Sequence, residues 1–104
     1  MFGKRKREEE FVEIDASAFT QPSIINVRVE TLRSISEASR VQQLVREGNV
    51  VFLRIKELRE RDINELRRAV ERFKKTCRAI EGDIIGVDED LLILTPSNVR
   101  IHRG

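Results

Sequence analysis

The sequence predicts a small α/β domain, an α+β sandwich in which two helices pack on a five-stranded mixed sheet. The element order is β-α-β-α-β-β-β, and the sheet pairs with that of a second copy. Three observations carry this reading. An apolar stripe with helical spacing runs from Ile63 to Ile80, about five turns. Strict alternation of Ile25, Val27 and Val29 with Asn26, Arg28 and Glu30 gives a half-buried strand. Three short runs, Val50 to Ile55, Ile84 to Val87 and Leu91 to Leu94, are apolar at almost every position.

The first strand spans Ser23 to Glu30. A helix follows, opened by Ser34 and Glu37 as a capping box. Ile35, Ala38, Val41, Leu44 and Val45 form its apolar face, and Gly48-Asn49 ends it. Val50 to Ile55 is the second strand. The charged stretch Lys56 to Arg61 reads as a connector. Asp62, with Glu65 three residues on, caps the long helix, whose buried stripe is Ile63, Leu66, Ala69, Val70, Phe73, Cys77 and Ile80. Gly82 closes it. In the third strand Gly86 marks a bulge or a close backbone approach. Asp88-Glu89-Asp90 turns into the fourth strand, and Pro96-Ser97-Asn98 turns into a short fifth, Val99 to His102.

Crossovers of the β-α-β type are right-handed. If the chain keeps one direction, both helices lie on one face, and the other apolar face needs a cover that a stacked second sheet supplies. If the chain reverses after the second strand, the helices cover opposite faces and no partner is needed. Each large apolar side chain left in water forfeits about 1.5–3 kcal/mol relative to burial.

Composition narrows the function. Of the 104 residues, 37% are charged and the net charge is +2, which suits a soluble protein with many surface ion pairs, a pattern more common in heat-adapted proteins. The single Cys77 excludes an intrachain disulfide and fits a reducing cytosol. No apolar run approaches the roughly 18 residues that span a bilayer, and no secretory leader is visible. The expected location is therefore cytoplasmic.

Catalytic and metal chemistry find no footing. His102 is a lone histidine near the end of the chain, and Cys77 falls on the buried stripe, where it acts as a small hydrophobe. The Asp88-Glu89-Asp90 cluster lacks calcium-loop spacing. The glycines form no phosphate-cradling pattern, and no cofactor is implied. The expectation is a binding or scaffolding module.

Two surfaces remain. On the outer face of the long helix Arg67, Arg68, Arg72, Lys74, Lys75 and Arg78 outnumber Glu65, Glu71 and Glu81. This reads either as a solvated face, with Glu71 and Lys75 in the favourable order, or as a docking surface for an acidic peptide or nucleic acid. Nucleic acid is disfavoured, because Phe52 is the only aromatic residue of the sheet and gives no stacking platform. The second surface is the terminal segment, residues 1 to 22, read as a tail preceding a core of residues 23 to 104. Met1 and Phe2 stand directly before Lys4, Arg5, Lys6 and Arg7. Each base near an anionic membrane contributes about 1 kcal/mol. The opposing reading is an ordinary basic terminus partly neutralised by Glu8-Glu9-Glu10.

The stretches Arg28-Val29-Glu30, Asn49 to Leu53, Ala79 to Ile84 and Leu94 to Val99 resemble SepF, a cell-division family of Gram-positive bacteria, cyanobacteria and many archaea. The most specific parts are Gly82-Asp83 after the long helix and the Thr95-Pro96-x-Asn98-Val99 turn. The resemblance covers about residues 23 to 102, and the short tail and charge-rich composition are similar to archaeal members. It implies a dimeric adaptor with both helices on one face, which binds the C-terminal tail peptide of the tubulin-like FtsZ and tethers the division ring to the inner face of the membrane.

Carried over, the resemblance puts membrane contact on Met1, Phe2, Lys4, Arg5, Lys6 and Arg7. Peptide binding falls on Arg68, Arg72, Lys75, Arg78 and Ile84, and the dimer interface on Leu92, Ile93, Leu94, Val99 and Ile101. Where bacterial members carry a Ser-Gly pair that lets neighbouring dimers approach, this chain has Lys74-Lys75, whose length and charge oppose that approach. The alternative function is a small basic module for nucleic acid or regulation.

Overall fold

The computed structural model describes residues 24–102. In chain order the elements are β1 (Val27–Thr31), a 3-10 turn (Ile35–Glu37) running into α1 (Ala38–Arg46), and β2 (Val50–Arg54). They continue with α2 (Lys56–Arg61), α3 (Ile63–Ala79), β3 (Asp83–Asp88) and β4 (Leu91–Thr95). The four strands form one sheet in the order β1-β2-β4-β3. β1 and β2 are parallel, and β4 is antiparallel to both β2 and β3.

Two expected elements are corrected. Val99 to His102 adds no fifth strand; Val99 N–H instead closes a turn onto Pro96 O at 3.2 Å. The reason is topological. β4 already has β2 on one side and β3 on the other, so a strand returning from a tight turn after β4 finds no free edge beside it. Lys56 to Arg61, expected as a connector, is the helix α2. It hides its one apolar anchor, Leu58, completely in the core. Glu57 in its first turn and Arg59 and Arg61 in its last suit the helix dipole.

The register settles the faces. Val51 pairs with Leu94, Leu53 with Leu92, and Leu94 also with Ile84, so these side chains share one face of the sheet. Val51, Leu53, Leu92 and Leu94 are buried in a single core with Val41 and Val45 of α1, Leu58 of α2, and Leu66, Ala69, Phe73 and Cys77 of α3. The helices therefore lie together on one face, as the one-direction reading expects. Leu92 and Leu94, expected on the outer face, instead point beneath the helices. Ile93, between them, pairs with Phe52 and Ile85 on the opposite face.

Local chemistry fixes the element ends. Asp62 caps α3 as expected, its Oδ1 accepting the Glu65 N–H at 3.0 Å. The first helix begins differently from the predicted box. Glu37 Oε1 accepts the Arg33 N–H at 2.8 Å, Ser34 Oγ pairs with Ser36 Oγ, and Ile35 N–H donates to Glu65 Oε2 of α3 at 2.8 Å. Gly48, at φ 98°, ends α1 in the left-handed conformation.

At the end of α3 it is Glu81, not Gly82, that turns left-handed, with φ 60°. Gly82 is needed for another reason: a Cβ there would stand 2.0 Å from the carbonyl oxygen of Thr95. In β3 the register shifts between Gly86 and Asp88, which is the bulge expected near Gly86.

Candidate functional site

α3 presents Arg67, Arg68, Glu71, Lys74, Lys75 and Arg78 to solvent while Leu66, Ala69, Phe73 and Cys77 stay buried. This division follows from the helical period. Arg72 sits between the two faces. Its guanidinium donates to Ser39 Oγ at 2.9 Å and to Gln42 Oε1 at 2.8 Å. Gln42 Nε2 in turn donates to Thr76 Oγ1 at 2.7 Å. Arg72, expected on the peptide surface, is thus committed to holding α1 against α3.

Where α3 ends and β3 begins there is an open groove lined by Lys74, Cys77, Arg78, Gly82, Asp83 and Ile84. Of the residues expected to bind peptide, it brings Arg78 and Ile84 together. Arg68 and Lys75 stay on the outer helix surface. Lys74, named on the basic helix face but not among the residues carried over for peptide binding, also lines the groove, since it stands one turn before Arg78 and shares its side of the helix. Asp83 lines it too and was missed. Lys74 lies 3.7 Å from Glu71, and Arg78 has no ion pair among the described residues. The groove therefore carries two cations, Lys74 and Arg78, and one acid, Asp83, around a small apolar floor of Cys77 and Ile84. The Cys77 thiol is pushed up to about 11, first by burial and then by the negative charge of Asp83. At neutral pH it is a protonated, inert packing group.

The opposite face of the sheet is the second surface. Val27 and Val29 are 58% and 55% exposed, and Phe52, Ile85, Leu91 and Ile93 are only half-buried. Among the described residues no helix covers it. Val99 and Ile101, expected in the same interface, line an open pocket with Glu81, Gly82 and Asp83 where α3 passes into β3. The basic terminal residues Met1, Phe2 and Lys4 to Arg7 lie outside the described residues.

The acidic turn is a structural feature. Asp88 Oδ1 accepts the Asp90 N–H at 2.7 Å, and Arg59 Nε donates to Glu89 O at 2.8 Å. Arg59 also pairs with the Asp90 carboxylate, which ties α2 to the β3–β4 hairpin. Among the described residues no cluster of His, Cys, Asp and Glu is arranged to hold a metal, and no helix is long and apolar enough to cross a membrane.

A family model described as cell division protein SepF matches residues 27–101. This chain belongs to the SepF family. The matched span starts at the first residue of β1 and takes in every helix and strand described above. Among solved structures, a SepF-like protein from Archaeoglobus fulgidus is similar at TM-score 0.70 and 25% identity, over 77% of this chain and 94% of that one. A SepF-like protein from Pyrococcus furiosus is similar at TM-score 0.67 and 23% identity, over 79% and 99%. A cell division protein SepF from Methanobrevibacter smithii in complex with FtsZ-CTD is similar at TM-score 0.66 and 19% identity, over 76% and 99%. No individual curated protein matches the chain. In this SepF the groove at the α3–β3 junction and the bare sheet face stand on opposite sides of the sheet.

Proposed function

We propose that this SepF protein is a cell-division adaptor that binds the C-terminal tail of FtsZ in the groove between α3 and β3. The observation that carries the reading is the groove itself, with Lys74 and Arg78 above an apolar floor of Cys77 and Ile84. Such a site takes a short peptide with an acidic residue and one or two apolar side chains. A SepF of the same fold from Methanobrevibacter smithii binds FtsZ-CTD. Arg68 and Lys75, on the exposed side of α3, extend the positive field and steer an acidic tail toward the groove.

Two further parts complete the proposal. The bare sheet face, with Phe52, Ile85 and Ile93 at its centre, pairs with the same face of a second copy. The terminal segment, through Met1, Phe2 and Lys4 to Arg7, contacts the anionic inner surface of the membrane. Two such segments on one dimer turn individually weak contacts into lasting attachment through effective concentration.

Calorimetric titration with the FtsZ C-terminal tail peptide of the same organism tests the reading. Binding that weakens about tenfold or more in Arg78→Glu supports it. No heat at high micromolar peptide overturns it.

A further inference from the structure

Among the described residues β1 is an edge of the sheet, and its hydrogen bonding to them leaves one side of its backbone open. Val50 N–H donates to Asn26 O, and Leu32 N–H to Arg54 O, both at 2.9 Å. In a parallel ladder, alternate residues turn both backbone groups to the neighbour. Asn26, Arg28, Glu30 and Leu32 therefore face β2, and the N–H and C=O groups of Val27, Val29 and Thr31 point outward. An open groove runs between this edge and α1, lined by Val29, Glu30, Thr31, Arg33, Glu37 and Arg40. Edges of this kind are templates for another strand.

The charges on β1 select which strand. Arg28 and Glu30 flank Val29 on the helix side of the sheet, 3.2 Å apart at their closest, and Glu30 also pairs with Arg40. Only odd-numbered residues offer outward groups, so an antiparallel partner can shift only in steps of two. Centred on Val29, two copies of β1 pair Val29 with Val29, Val27 with Thr31, and Arg28 with Glu30 of the second copy, twice over. Sliding by one step sets Arg28 against Arg28, or Glu30 against Glu30. Opposite charges directly across a strand pair stabilise and like charges destabilise it, so one register stands out.

We infer that a second copy of this chain docks on the β1 edge, antiparallel and two-fold about Val29, to make one continuous sheet. This contact is separate from the sheet-face pairing proposed above. A subunit with two distinct self-complementary patches joins a neighbour at each, closing into a dihedral assembly where the two axes meet and growing as an open string where they do not.

Sedimentation of the full chain tests this with a charge exchange. Arg28→Glu gives a strand with two acids, and Glu30→Arg one with two bases. Each variant alone is expected to sediment at about half the mass of the wild type or less, and an equimolar mixture to recover the wild-type mass. Recovery in the mixture also shows that both variants fold. A second readout is register-specific: Arg28→Cys mixed with Glu30→Cys forms a disulfide-linked pair under mild oxidation, faster than either alone. These positions lie on the helix side, which face-to-face stacking cannot bring together. Wild-type mass in the single variants, or no recovery and no preferential cross-link in the mixture, overturns the inference.

Discussion

The Glu65 carboxylate accepts the backbone N–H of Ile35 across 2.8 Å, so the long helix supplies the cap of the first one. The two residues are thirty positions apart. The contact satisfies a helix-start donor that would otherwise be orphaned, and it fixes the N-terminus of α1 against the first turn of α3. Glu65→Ala is expected to cost about 1–2 kcal/mol, the range for losing a cap or a charge-assisted hydrogen bond. Ser34→Ala is expected to cost almost nothing, because the Ser34 side chain caps no backbone group. Urea unfolding of the two variants checks the order. Equal losses would restore the local capping box as the working cap.

That pair shows what a sequence can and cannot disclose. Ser34 and Glu37 have the spacing of a box and do mark the helix start, but the partner that takes the donor comes from another element. The start of α3 was legible to the residue because its cap, Asp62, and its stripe are local. The candidate site was half legible: the Arg78 and Ile84 side of the groove is visible as a basic helix running into a strand. Which of Leu91 to Leu94 faces outward was not legible. Period two assigns faces only when polar residues break the run, and this run has none. α2 was hidden for a related reason, since Leu58 alone gives no period within its six residues.

Acid should weaken the fold partly through β1. The Glu30 carboxyl is held below its ordinary value of 4.5, first by the hydrogen bond from Arg40 and further by the charges of Arg40 and Arg28, against a smaller opposing effect of burial. The unfolded chain thus binds this proton at a higher pH than the folded one. The pair's contribution is complete above the ordinary glutamate range and is lost as the pH falls through the lowered folded value. Stability measured from neutral pH down to about pH 3 should fall less steeply in Glu30→Gln than in the wild type. Parallel profiles would mean that Glu30 is not linked to folding.

Gly82 and Gly48 are both glycines after helices, yet they answer different demands. At Gly48 the φ is 98° with nothing within 4 Å of a would-be Cβ, so Gly48→Ala meets backbone strain alone, about 1–2 kcal/mol. At Gly82 the obstacle is the Thr95 carbonyl oxygen, 2.0 Å from that Cβ, and it belongs to the backbone of β4. Gly82→Ala must push α3 and β4 apart and is expected to cost about 1–3 kcal/mol. It should also loosen the groove beside it. Thermal melts give the first effect, and faster amide exchange in β3 and at Thr95 gives the second. A melt and exchange pattern like the wild type would show that the junction can shift freely.

Leu92 and Ile93 are neighbours in β4 that face opposite sides of the sheet, and they separate stability from self-association. Leu92 is 9% exposed in the core under the helices, so Leu92→Ala removes packed methyl groups and is expected to cost about 2–5 kcal/mol. Ile93 pairs with Phe52 and Ile85 on the bare face, where an acid can stay in water in a lone subunit. Ile93→Asp should therefore keep close to wild-type helix content by circular dichroism. Across a two-fold sheet-to-sheet interface it would bury two carboxylates without partners, which an apolar contact does not tolerate. Light scattering after size exclusion is expected to show a smaller species for Ile93→Asp and an unchanged one for folded Leu92→Ala. If Ile93→Asp retains the wild-type mass while Phe52→Asp does the same, the face is not where copies meet, and association runs through the edges or helices instead.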